Sequence, residues 1–92
     1  MRQLDELGAR LRAARLRRRM TQATLAARVD VSLPTIRKLE KGDPTTSLAT
    51  LVRALQVLGL EKDLDLLAAN DKLGRALQDI HQVGPPRGKR SS

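Results

Sequence analysis

Apolar side chains recur three and four residues apart along almost the whole of this 92-residue chain, which is the period of a helix and not of a strand. Residues 3–19 set Leu4, Leu7, Leu11 and Ala14, with Arg15 at the margin, on one stripe. Thr21 is a good cap, so a second helix is expected over 22–29 with Leu25, Ala26 and Val29 inward. Asp30-Val31-Ser32 breaks the pattern. Asp tolerates a left-handed turn, and Ser32 can cap a third helix over 33–41, with Pro34 harmless in its first turn and Ile36 and Leu39 inward. Gly42 reads as the residue just past its end. Residues 48–58 carry Leu48, Leu51, Val52, Leu55 and Leu58, and Gly59 stops them. A short fifth helix over 62–69 presents Leu64, Leu66 and Leu67, behind an acidic start that suits a helix N-terminus. Residues 72–82 can form a sixth, with Leu73, Leu77 and Ile80 on one face. Only residues 80–83 are short enough to be ambiguous with a strand. Residues 84–92 have no apolar side chain beyond two prolines and are expected to be disordered.

Composition narrows the chemistry. The length suits one small domain, or one domain with a tail. No apolar run approaches the roughly 20 residues of a membrane span, and no apolar segment of a signal peptide follows the first charge. With no cysteine and His81 as the single histidine, thiolate and multi-histidine metal sites are excluded, no metal or other cofactor is expected, and a reducing cytoplasm is the natural compartment. One histidine, no cysteine and no Gly-rich phosphate loop also argue against an enzyme; His81 is given no catalytic role. Without aromatic residues, base stacking of the RNA-module kind and an aromatic-lined ligand pocket are not expected of this chain. The formal charge is +8, unevenly placed. Residues 1–20 hold seven Arg against Asp5 and Glu6, net +5; residues 21–83 balance; the tail adds Arg87, Lys89 and Arg90. Clustered positive charge suggests a polyanion: DNA, RNA or an acidic membrane surface.

Residues 22–41 have the spacing of a helix-turn-helix. Small Ala26 lets a second helix cross closely, and residues 25, 29, 31, 36 and 39 clamp two short helices so that the second can lie in the DNA major groove. An ordinary helical hairpin within a bundle fits this spacing equally well.

The matching residues extend further. Leu11-Arg12-Ala13-Ala14-Arg15, Met20-Thr21-Gln22, Leu25-Ala26, Val29, Val31-Ser32, Pro34-Thr35-Ile36, Leu39-Glu40-Lys41-Gly42 and a closing helix over 48–58 resemble the Xre/Cro-type helix-turn-helix domain of bacterial and phage regulators. Asp30 departs from the Gly usual at that turn. Glu40-Lys41-Gly42-Asp43-Pro44, Ser47-Leu48-Ala49-Thr50-Leu51, Ala54 through Leu60 and Asp63-Leu64 are most similar to HipB-type antitoxins, the DNA-binding partners of HipA-type serine/threonine kinase toxins. The resemblance implies an all-α fold: a compact five-helix lambda-repressor-like domain over residues 1–69. Residues 70–83 would form a helical extension for dimer or partner contact, and residues 84–92 a disordered basic tail.

It also implies roles. Arg15 and Glu40 would form a partly buried structural ion pair; a solvated surface arginine is the plainer alternative. Thr21, Gln22 and Ser32 would lie against the phosphate backbone, although capping alone also accounts for them. On the third helix, Arg37 and Lys38 can donate to guanine, and Leu33, Pro34 and the Thr35 methyl can pack on thymine, unless the two charges are only a solvated face. Lys41, Thr45, Thr46 and Ser47 surround a helix start that could hold a phosphate. Arg17, Arg18 and Arg19 could steer, touch phosphate or complement a helix dipole, and the tail could add nonspecific affinity or only solubility.

Leu64, Leu67, Leu73, Leu77 and Ile80 are more leucine than such a domain needs, which points to a dimer or partner surface unless the sixth helix folds back. The functions that follow are an autorepressing antitoxin homodimer bound to operator DNA and a HipA-like kinase, or a stand-alone Xre-type repressor without a toxin. A membrane-binding first helix is the third reading, weakened by the lack of Trp and Phe. No small-molecule substrate is expected.

Overall fold

The computed structural model describes residues 1–81, and within them six helices and no strand: α1 Arg2–Arg17, α2 Gln22–Val29, α3 Leu33–Glu40, α4 Leu48–Val57, α5 Lys62–Leu66 and α6 Lys72–His81. The tail expected over 84–92, with residues 82 and 83, lies outside the described residues. The fold is all-α around a helix-turn-helix, as the periodicity requires. α2 packs against α3 and α4, and α1 packs against α3. Leu11, Ala14, Leu25, Ala26, Val29, Ile36, Leu39, Ala54, Leu55 and Leu58 form the core.

Serine and threonine caps set the starts of the three central helices. Thr21 Oγ1 accepts the Thr24 amide at 3.0 Å, Ser32 Oγ that of Thr35 at 3.2 Å, and Ser47 Oγ that of Thr50 at 3.1 Å. α2 ends on Asp30 in the left-handed region (φ 67°, ψ 48°), and the Val31 amide reaches back to the Ala26 carbonyl at 3.0 Å, closing a Schellman motif. A side chain there costs more than glycine would. Asp30→Gly is therefore expected to raise stability by about 0.5 kcal/mol, the relief of the left-handed Cβ less the extra chain entropy of glycine. Chemical denaturation measures it, and a loss would mean that the Asp30 side chain contributes something the turn geometry does not reveal.

Several helix ends fall short of the periodic pattern. α1 stops at Arg17 and not 19, because Arg19 adopts φ +56° and the Met20 amide bonds to the Arg15 carbonyl. α5 stops at Leu66 because Leu67 is extended and Ala68 has φ +56°. In both places a non-glycine residue takes a conformation that glycine would have advertised. α4 is rotated relative to its apolar list: Leu48 is 77% exposed, whereas Ala54 is fully enclosed.

Gly8 lies in the middle of α1, where glycine is unfavourable in itself. Its role is close approach. A Cβ built there would sit 2.5 Å from the Glu40 carbonyl oxygen and 2.7 Å from the Gly42 nitrogen, both backbone atoms. Gly42 returns the approach with φ +73° beside the Leu4 backbone. The end of α3 is thus pressed directly onto α1. Gly8→Ala is expected to destabilise the domain by about 2–3 kcal/mol despite alanine's better helix propensity, because backbone must move. A thermal melt tests this, and an unchanged or raised midpoint would show that the two helices can separate at little cost.

Candidate nucleic-acid interface

The α2–turn–α3 unit presents one helix and anchors it from behind. Ile36 and Leu39 hold α3 in the core, and Glu40 at its end is buried with them. Arg15 of α1 reaches Glu40 twice, Nε donating to Oε2 at 2.7 Å and Nη2 to Oε1 at 3.1 Å. Its third donor, Nη1, bonds to the Met20 carbonyl at 2.8 Å, tying in the α1–α2 corner. The side chains of Arg15 and Glu40 are 7% and 3% exposed. Arg15 therefore does not face solvent. Bidentate geometry and enclosure make this pair far stronger than the surface pairs Arg2–Glu6 and Arg10–Glu6, both 3.9 Å long and on exposed side chains.

Gln22 joins the same network. Its Nε2 donates one hydrogen to Glu40 Oε1 at 3.0 Å, which orients the side chain and leaves the second amide hydrogen and the amide oxygen without a partner among the described residues. The donors that α2 offers at this end are then the second Gln22 amide hydrogen and the backbone N–H groups of its first turn. Thr21, exposed, uses its hydroxyl to cap, with a second bond to Thr24 Oγ1 at 3.0 Å.

On α3, Pro34, Arg37 and Lys38 are exposed, and Leu33 and Thr35 are half-buried. Ser32 and Thr35 share a hydroxyl–hydroxyl bond of 2.8 Å. Among the described residues, neither Arg37 nor Lys38 forms an ion pair, so their charge is available to a ligand.

The loop into α4 differs from a simple ring of hydroxyls. Thr45 donates its hydroxyl and its amide to Asp43 Oδ1, at 2.6 and 2.8 Å. These bonds, helped by Lys38 nearby, hold the Asp43 carboxyl below its ordinary pKa of 3.8. The loop thus keeps a negative charge beside Thr45. Thr46 Oγ1 is buried and makes no hydrogen bond among the described residues. Ser47 is spent on the cap and on Thr50 Oγ1 at 2.9 Å. Lys41 is exposed, so Lys41 and the first amides of α4 are the cationic and N–H groups on offer here. Sequence spacing identified the hydroxyls but not their prior engagement, and it did not identify the Gln22–Glu40 bond, which spans 18 positions.

A family model described as a helix-turn-helix domain matches residues 6–68, from within α1 through α5. The chain belongs to this helix-turn-helix family. No curated protein and no solved structure matches the chain. Membership together with the exposed α3 makes the protein a DNA-binding regulator. Within the helix-turn-helix domain, α3 occupies the position of the helix that enters the major groove. No described helix is long and apolar enough to cross a membrane. No cluster of potential metal ligands occurs among the described residues.

Proposed function

We propose that this helix-turn-helix protein is an Xre-like, sequence-specific antitoxin that represses its own operon and neutralises a HipA-like serine/threonine kinase toxin. It acts by binding and not by catalysis. The observation that carries the DNA half is the pair of exposed cations Arg37 and Lys38, without an ion pair among the described residues, on a helix locked from behind by Glu40. Leu33, Pro34, Thr35, Arg37 and Lys38 meet base edges in the major groove, the cations at guanine and the apolar groups at thymine methyls. The phosphate backbone is met around Thr21, Gln22, Ser32, Lys41, Thr45, Thr46 and Ser47. At these positions the engaged hydroxyls favour the backbone amides of α2, α3 and α4, with Lys41 as the point charge. Two copies bind two half-sites about one helical turn apart. Residues 1–69 are the DNA-binding domain, and residues 70–83 make the dimer or partner contact, with Leu64, Leu67, Leu73, Leu77 and Ile80 as its apolar side chains. Residues 84–92 add basic charge.

The antitoxin half rests on the Glu40–Leu60 resemblance to HipB-type proteins. Its test is a nuclease-treated pull-down of the tagged chain from its native host. A stoichiometric kinase-like protein is the expected result. Recovery of nothing but copies of the chain would replace the antitoxin with a stand-alone Xre-type repressor that uses the same DNA face.

A further inference from the structure

Helix α6 has an apolar face that its own domain leaves open. Leu73, Ala76, Leu77 and Ile80 recur at the i, i+3, i+4, i+7 spacing of one helix face. Leu73, Leu77 and Ile80 are 71%, 47% and 72% exposed. Residues 65–80 are all exposed except Gly74, so the chain leaves the core after Leu64 and does not return within the described residues. Asp71 caps α6 by accepting the Gly74 amide at 2.7 Å. Even so, ten residues are too few to hold a helix in water without tertiary cover.

The charges around the face specify what covers it. Lys72 and Asp79 are seven residues apart, which places them on the same flank at opposite ends. If two such helices pair antiparallel about a two-fold axis, like flanks meet, and each Lys72 comes opposite the second copy's Asp79. Parallel pairing would set that flank against the flank of Gly74, which has no acidic side chain among the described residues to meet Lys72. The rest of the molecule also favours contact here. Residues 61–81 carry five acidic and three basic side chains in a chain of net charge +8. The excess positive charge that opposes association of two copies therefore lies elsewhere in the chain.

We propose that α6 docks antiparallel on α6 of a second copy of this chain, through Leu73, Ala76, Leu77 and Ile80, with reciprocal Lys72–Asp79 pairs. This deepens the two-copy reading above and takes from it only the expectation of a dimer. Ten-residue helices bury less than the roughly 1,200 Å² of a standard interface. The dimer accordingly dissociates on dilution, and adjacent half-sites on one duplex hold it together by raising the effective concentration.

The chain contains no cysteine, so introduced thiols report the register without background. Full-length Leu73→Cys and Ile80→Cys proteins are mixed and oxidised gently. In the antiparallel pair each Leu73→Cys sulfur faces an Ile80→Cys sulfur. Like thiols are about 10 Å apart along the axis, beyond disulfide reach. The mixed dimer is expected to take nearly all of the cross-linked product. Leu77→Glu is expected to halve the mass measured by sedimentation at high concentration, with the melting of the α1–α5 domain unchanged. Predominance of like-with-like Leu73→Cys dimers would overturn the proposal in favour of parallel pairing. A wild-type monomer that does not cross-link in any mixture would overturn it outright. DNA binding is measured separately: a chain that cross-links as expected but binds no duplex contradicts the functional reading and leaves the α6 pairing standing.

Discussion

Arg15→Ala is expected to cost on the order of 3–5 kcal/mol of folding stability, the largest loss from any single polar truncation in the domain. The reason is what it leaves behind. Glu40 would remain buried with its charge facing the Gln22 amide alone, and the Met20 carbonyl would lose its donor. For a domain of this size each kcal/mol lowers the melting midpoint by about 4–8 °C, so the variant should melt roughly 15 °C or more below the parent. Glu40→Ala should do similar damage by stranding Arg15. The double variant should lose much less than the sum, since neither charge is then left alone. Replacing both residues by well-fitting apolar side chains, Arg15→Met with Glu40→Leu, should recover most of the stability. A single variant within about 1 kcal/mol of the parent would contradict the burial and bidentate geometry described for the pair.

The second large effect is on recognition. Arg37→Ala is expected to weaken binding to the preferred duplex by about 1–3 kcal/mol if its guanidinium reads a base, and to relax preference at one base pair of each half-site. Folding should be untouched, because the side chain is exposed and unpaired among the described residues. Competition binding against a library of duplexes, with a thermal melt as control, separates the cases. Uniform weakening over all sequences, with a salt slope smaller by about one, would assign Arg37 to phosphate. Unchanged affinity and unchanged preference for both Arg37→Ala and Lys38→Ala would remove α3 from the interface.

These expectations draw unequally on the sequence. The limits of α2 and α3 were legible because their signals are local: Thr21 and Ser32 cap, Asp30 turns, and the apolar positions repeat. The ends of α1 and α5 were not, because Arg19 and Ala68 adopt left-handed conformations with no glycine to mark them. The inward face of α4 was not legible, since its list of apolar residues is too long to define one stripe and includes the exposed Leu48. At the site, the Arg15–Glu40 pair was expected from the family resemblance and not from spacing. The capture of the Gln22 amide by Glu40, and the tethering of Thr45 to Asp43, are tertiary or loop contacts to which periodicity is blind. The contact of Gly8 with the end of α3 is visible only in three dimensions.

In the proposed function, α3, held by the Arg15–Glu40–Gln22 network, is the surface that meets DNA. The most direct measurement is a nuclear magnetic resonance titration of the labelled full chain with a duplex selected for tight binding. The largest amide shifts are expected over Leu33–Lys38, with secondary shifts in the first turns of α2 and α4, at Gln22 and Leu48 and their neighbours. Shifts confined to α5 and α6 or to residues 84–92, with α3 unmoved, would contradict it.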